Sequence, residues 1–413
     1  MKYILFIRFF TSIIIFLINP LSLPNALAAV NPIDVLQHYA YVAHARYEDA
    51  LNSAKQLDNA IDALIAFPSK EKLDDARLKW IKARIPYQQS EVNRFISPTI
   101  NELNKKINEW PIDEGFIDYV DISYIQDDNE NELYNANIIA NSKISVNGQE
   151  IDISVLTPEL IRKLHGANGV SRNVTTGYHA IEFLLWGQDL QTKTRKAGDR
   201  PYTDFSIKKC TGGNCKKRAD YLKIASTLLI SDLEKMAKSW SAEGETTKLL
   251  MKDIKSGLNL MIKGMTYMSY GELAGDRMNL GLVLHDPEQE IDRFSDNTHA
   301  SYLNNIIGIA SSYTGEYTRI NSEKISGASI SDLIRNNYKN LDIEINNKLY
   351  DTLKDAYIMA EHASHVESYD QMINDNNPIG NKIVRNVIDD LIRQTESLRK
   401  LRIVFDLKEA DVT

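Results

Sequence analysis

The chain has 413 residues, 43% of them hydrophobic and 25% charged, the composition of a folded globular protein with material for two domains of ordinary size. Its formal net charge of −8 argues against nucleic acid or an anionic membrane as partner, because both repel an acidic surface.

Lys2 and Arg8 frame a short basic start, an apolar run follows from Phe9 to Leu17, and Pro20 and Pro24 break it. Ala26-Leu27-Ala28 supplies the small residues that a signal peptidase requires, so residues 1–28 read as a secretory signal peptide and the mature chain starts near Ala29. The alternative is a retained anchor, against which stands an apolar core well short of the ~20 residues that span a bilayer. The two cysteines, Cys210 and Cys215, close one short Gly-rich loop. In an exported protein that pair reads as a disulfide; a two-Cys metal site would lack any His or carboxylate within the loop.

Helical spacing dominates the rest of the chain. Leu36, Ala40, Ala43, Tyr47, Ala50, Ala54, Leu57, Ile61 and Leu64 recur every three or four residues, which predicts one long amphipathic helix. Pro68 and Ser69 end it and open a second, from Leu73 to about Phe95. Ile144 to Ile153, turning at Asn147-Gly148, reads as a β-hairpin with a type I′ turn. Thr157-Pro158-Glu159 has the order of an N-cap followed by the first helical positions. Four further stripes begin at Leu222, Ile254, Leu349 and Val384. The expected fold is all-α: two four-helix-bundle-like domains, 29–205 and 206–413, with the hairpin as a small insertion and a loop-rich joint near 191–216. The acidic run Asp127 to Glu132 resembles a calcium loop but has Glu132 where that loop needs Gly, and reads as a solvated loop.

His179 and Glu182 stand three apart in Gly177-Tyr178-His179-Ala180-Ile181-Glu182, ahead of an apolar tail that Gly187 stops. On a helix they share a face, and imidazole beside carboxylate is a partial chelate for a borderline metal. The same spacing also suits a buried hydrogen bond that orients two helices, and from spacing alone that reading is the stronger. Two protein ligands are too few for a tight site, so further oxygens must come from elsewhere in the fold. A neutral imidazole must bind, so affinity is expected to fall as pH drops through the His pKa, near ~6.5.

The Gly177-x-His179-x-x-Glu182 motif with its tail resembles the signature of the imelysin family, also labelled M75 peptidases. Trp80-x-x-x-Arg84 through Ser90-Glu91, Trp110 to Val120, Arg200 to Phe205, Gly271 to Met278 and Phe294 to His299 resemble further family segments in order, several of them typical of its iron-regulated protein A branch. The resemblance implies a two-domain helical fold with a pocket between the halves, and a role in iron acquisition in the periplasm, with outer-membrane association open. It makes His179 and Glu182 the metal ligands, for iron or alternatively zinc. Glu91, Asp113, Arg277, Asp296 and His299 lie in matching segments as pocket residues, with Glu91 and Asp296 the first choices for extra oxygen ligands. For each, an interdomain salt bridge or helix cap is an equal alternative, and Arg277 with Asp296 could form such a pair.

Three function classes are open: a metal-binding component of iron uptake, an M75-type metallopeptidase, and an interaction module partnering a membrane iron-transport component. The His-Glu-x-x-His of common zinc peptidases is absent, so a binding protein is favoured over a peptidase. His362 and His365 match no recognised motif, and His38 and His44 read as surface residues of the first helix.

Overall fold

Asn31 opens the first helix: its side chain accepts a hydrogen bond from the Ile33 amide, and Pro32 supplies the preset first φ. The helix, α1 (Pro32–Ala66), buries its whole expected seam, from Leu36 to Leu64, to 4% exposure or less. The computed structural model describes residues 30–124, 131–190 and 196–407. The expected signal peptide and most of the acidic stretch 127–132 lie outside the described residues.

Ser69 caps α2 (Lys70–Ser90) through the Lys72 amide. Where the sequence predicts continued helix, the backbone tightens into a 3₁₀ turn, Glu91–Ile96. Then come α3 (Pro98–Asn108), the strands β1 (Lys143–Val146) and β2 (Gln149–Asp152), α4 (Pro158–Leu164) and α5 (Gly177–Trp186). Val146 pairs with Gln149, and Asn147 and Gly148 sit at φ 50° and 74°, the turn that Asn-Gly requires. Thr157 caps α4 as its sequence predicts.

The second half holds α6 (Cys215–Trp240), α7 (Glu245–Met251), α8 (Ile254–Tyr267), a π-helical stretch Met268–Asn279, α9 (Leu280–Leu284) and α10 (Thr298–Thr314). A second hairpin, β3 (Glu316–Thr318) with β4 (Lys324–Ser326), precedes α11 (Ile330–Ile334), α12 (Lys339–His365), α13 (Tyr369–Ile373) and α14 (Pro378–Val404). The second hairpin is not anticipated from sequence, because its strands are three residues long and lack an Asn-Gly turn; Tyr317 and Ile325 cover Val42 and Ala45 of α1. None of the described helices is long and apolar enough to cross a membrane.

Packing ties the chain's halves together. α1 lies along α2 and α6, and α6 also touches α3, α4 and α5. α10 lies on α2 and α12, and α14 packs on α12, α8 and the π-helical stretch. One cluster of buried apolar side chains runs from Val35 to Leu401. His38 and His44, expected at the surface, are half-buried, and His38 Nε2 lies 2.7 Å from the Gly315 carbonyl.

The stretch after residue 196 is a loop by composition, yet charges lock it in place. Arg200 Nη1 lies 2.8 Å from Asp118 and 3.1 Å from Asp204, and Arg218 Nε lies 2.6 Å from Asp118. All four side chains are buried. The expected Cys210–Cys215 disulfide is formed, and the loop it closes offers the Gly213 carbonyl to Arg218 at 2.9 Å. Removing one charge from a buried cluster leaves its partners unsatisfied at a cost of about 3–5 kcal/mol. Asp118→Asn should therefore lower the urea midpoint by that amount of stability; an unchanged midpoint would show that the cluster contributes nothing.

Candidate metal centre

α5 begins where only glycine fits. Gly177 has φ +84°, and a Cβ there would lie 2.4 Å from the Ile107 carbonyl oxygen at the end of α3. Thr176 Oγ1 donates to the Lys106 carbonyl at 2.8 Å, so the helix start is docked on α3. This turns His179 and Glu182 inward, to 1% and 0% exposure. Their Nδ1 and Oε2 are 3.1 Å apart.

A third candidate ligand arrives from the segment before α10. Asp292 Oδ1 lies 3.7 Å from His179 Nδ1, and one ligand atom from each of His179, Glu182 and Asp292 falls within 4.8 Å of the others. Ser295 secures Glu182 from the same segment, donating to Oε1 from its amide at 3.0 Å and its hydroxyl at 2.7 Å. Asp292 accepts from Asn297 Nδ2 at 3.1 Å and from the Ser301 hydroxyl. Arg84 of α2 grips Asp292 at 2.7 and 3.3 Å while lying over the rings of Trp80 and Tyr178.

Beyond Arg84 the buried polar groups continue. Arg84 donates to Asn108 Oδ1, and Asn108 Nδ2 donates to Glu91 at 3.1 Å. Glu91 pairs with Arg277 at 2.9 Å, Arg277 with Glu272 at 2.9 Å, and Glu272 with Arg94.

The centre's charge state is set by burial. Burial, then the Arg84 charge, hold the His179 imidazolium down to about 3. Burial, then the Asp292 charge, push Glu182 well above the usual carboxylate range. Asp292 would also rise on burial, but the Arg84 charge beside it brings it below its ordinary value. Arg84 thus faces an ionised Asp292, and His179 and Glu182 share one hydrogen bond whose donor depends on the tautomer of the ring. Burial and Arg84 thus move the titration of His179 well below the ~6.5 at which the sequence places the fall in metal affinity.

Sequence reasoning placed His179 and Glu182 correctly on one face and missed Asp292. The other expected residues sit elsewhere. Glu91 turns its carboxylate to Arg277, Asn108 and Asn305 rather than to His179. Arg277 pairs with Glu91 and Glu272. Asp296 lies in a left-handed turn at φ 55°, four residues beyond the position that joins the centre. Asp113 is held by Asn131 and by Arg172 at 3.1 Å. His299 Nε2 meets the Ser364 hydroxyl at 3.1 Å. His362 pairs with Glu367 at 2.8 Å, and His365 is exposed.

The residues present fit a metal ion. Ligand atoms about 2.1 Å from a shared metal lie roughly 3–3.4 Å apart, close to the 3.1 and 3.7 Å separations from His179 Nδ1. One imidazole and two carboxylates suit iron or zinc. His179 Nε2 is buried without a hydrogen-bond partner among the described residues, and on the Nδ1 geometry it is the ring atom left outside the ligand set. Against the fit, Arg84 competes for Asp292.

Gly177→Ala should destabilise the protein by about 2 kcal/mol or more, since it adds both positive-φ strain and a backbone clash; a wild-type melting temperature would show that α5 can shift freely on α3. Burial raises Glu91, but Arg277, helped by Arg94 and Arg84, holds it at about 2, below its ordinary 4.5. Its stabilisation is then complete above pH 4.5 and is lost as pH falls through about 2. Glu91→Gln should be less stable at pH 7 and show a flatter stability profile over that acid window, read by denaturant titration at stepped pH.

Known proteins share this architecture. A protein-family model described as Imelysin, of the M75 peptidase group, matches residues 43–398. No curated protein matches the chain. A crystal structure provisionally assigned as an iron-regulated protein A precursor from Parabacteroides distasonis is 18% identical, covers 91% of this chain and 95% of its own, and superposes with a TM-score of 0.61. That likeness shows a common fold. The family match extends over most of the polypeptide and includes the Gly177, His179 and Glu182 motif; the chain belongs to the imelysin family.

Proposed function

We propose that this chain is an exported, periplasmic imelysin that serves iron acquisition by binding a metal ion, iron foremost, through His179, Glu182 and Asp292. The observation that carries the reading is the convergence of these three buried side chains from two distant segments, with ligand atoms within 4.8 Å. The Cys210–Cys215 disulfide and the signal-like residues 1–28 support export. The iron-regulated name of the structural neighbour is in keeping with the metal. Binding is favoured over peptide hydrolysis because the three side chains are 0–1% exposed, too deep for a peptide bond to reach them.

Two substitutions separate a metal site from a structural hydrogen bond. His179→Ala should weaken iron binding at least tenfold, about 1.4 kcal/mol. Glu182→Gln keeps the side chain's size and can accept from Ser295 and donate to His179, but removes the charge a metal needs. It should keep the melting temperature of the metal-free protein while losing the metal-induced rise in that temperature. Calorimetric titration with ferrous and ferric iron and zinc, beside thermal melts, reads both. Metal affinity that survives in both variants, with only the melting temperature reduced, would make the pair a structural contact and end the proposal.

A further inference from the structure

Arg84 stands where an incoming ion must compete. Its Nη2 donates to Asp292 Oδ1 at 2.7 Å, and its Nε lies 3.3 Å from Oδ2. Oδ1 is also the oxygen that Asp292 turns to His179, 3.7 Å from Nδ1. The Asp292 atom best placed to join His179 and Glu182 around an ion is therefore the one the guanidinium already holds. The other oxygen is spent, since Oδ2 accepts from Asn297 Nδ2 at 3.1 Å and from the Ser301 hydroxyl.

The guanidinium has other acceptors within reach. Nη1 donates to Asn108 Oδ1. The Gln88 amide, one turn along α2, lies against Nη2 on one side and Glu91 on the other. With its oxygen toward Arg84 it accepts from Nη2, and its nitrogen donates to Glu91 Oε2. Nη2 therefore keeps an acceptor if it gives up Oδ1. The charge, however, stays in place. A guanidinium does not lose its proton, the Arg84 side chain is 1% exposed, and Glu91 beyond it is paired with Arg277.

In the empty centre this charge balances Asp292; beside a bound cation it repels. In a dry interior, repulsion over a few ångströms is of the same order as the attraction of a carboxylate ligand. Resting on the metal reading above, we propose that Arg84 is the residue that limits metal affinity at this centre, by contesting Asp292 Oδ1 and repelling the ion, and so keeps the bound ion exchangeable. A protein that serves uptake must release what it binds, and a cation held one hydrogen bond from a ligand atom favours release. The rings of Trp80 and Tyr178, 5.5 and 5.1 Å from the guanidinium carbon, hold it there.

The test compares the mature wild type with Arg84→Gln and Arg84→Lys, by zinc titration at pH 8 and by thermal melts of the metal-free proteins. Arg84→Gln loses the charge and should bind zinc at least about tenfold tighter than wild type. Its metal-free melting temperature should fall, because Asp292 loses its countercharge. Arg84→Lys keeps the charge and should bind zinc much as the wild type does. The opposite signs in Arg84→Gln mark the role, since a merely structural arginine would lose stability and affinity together. Wild-type binding that Arg84→Gln leaves equal or weaker, or an equal gain in Arg84→Lys, would overturn the proposal while leaving the centre a metal site. No zinc binding in any of the three would end the metal reading, and this proposal with it. Should Arg84→Gln not fold, a zinc-bound crystal of the wild type decides. Nη2 is expected on the Gln88 amide oxygen; Nη2 still on Asp292 Oδ1 beside a bound zinc would overturn the proposal.

Discussion

Arg84 and Asp292 meet at 2.7 Å with side chains 1% and 0% exposed, and the position of the centre depends on that contact. A buried ion pair of this kind gains little net stability, because desolvation offsets most of the attraction, but it strongly disfavours arrangements that leave either charge alone. α2 is held between α1 and α10, so Arg84 is a fixed point. Asp292 must come to it, and the segment before α10 comes with it. Only then does Ser295 reach Glu182, and only then do Asn297 and Ser301 satisfy the remaining lone pairs of Asp292. The rings of Trp80 and Tyr178 line Arg84 at 5.5 and 5.1 Å, which keeps the cation from relaxing toward water.

The same cation also sets protonation at the centre. It opposes a proton on His179 and favours the charge on Asp292. The Asp292 charge in turn raises Glu182 above its ordinary range. Without Arg84, two carboxylates and an imidazole in a dry place would share protons differently. A second tier, Glu91 with Arg277, repeats the logic one step outward and joins through Asn108. These tiers run toward the π-helical stretch Met268–Asn279, which carries Glu272 and Arg277. π-Helical geometry is rare and concentrates at functional sites.

Local chemistry was legible in the sequence; distant pairing was not. The seam of α1, the Thr157 cap, the Asn147-Gly148 turn, the disulfide loop and the shared face of His179 and Glu182 depend on neighbours a few positions apart. Asp292 stands among Asp286, Glu288, Glu290 and Asp296, and nothing local separates it from them. What selects it is Arg84, 208 positions away. Glu91 was drawn to the metal by its family segment, yet the nearer guanidinium of Arg277 takes both its oxygens. His38, expected at the surface, is half-covered only when the chain beyond Thr314 returns to α1.

On the proposed reading, charge constrains the choice of metal. Within the centre Arg84⁺ is matched by Asp292⁻. A cation entering it is met by one further anion, the Glu182 carboxylate. A divalent ion then leaves one net positive charge in a buried place, and a trivalent ion leaves two. Uncompensated charge grows more costly as the surroundings become drier, and Arg84, being always protonated, cannot relieve it by losing its proton. The same fully buried geometry that strengthens each metal–carboxylate contact therefore discriminates against the higher charge. A trivalent ion would have to bring its own anion, or draw Asp292 away from Arg84 and so loosen the contact that assembles the centre.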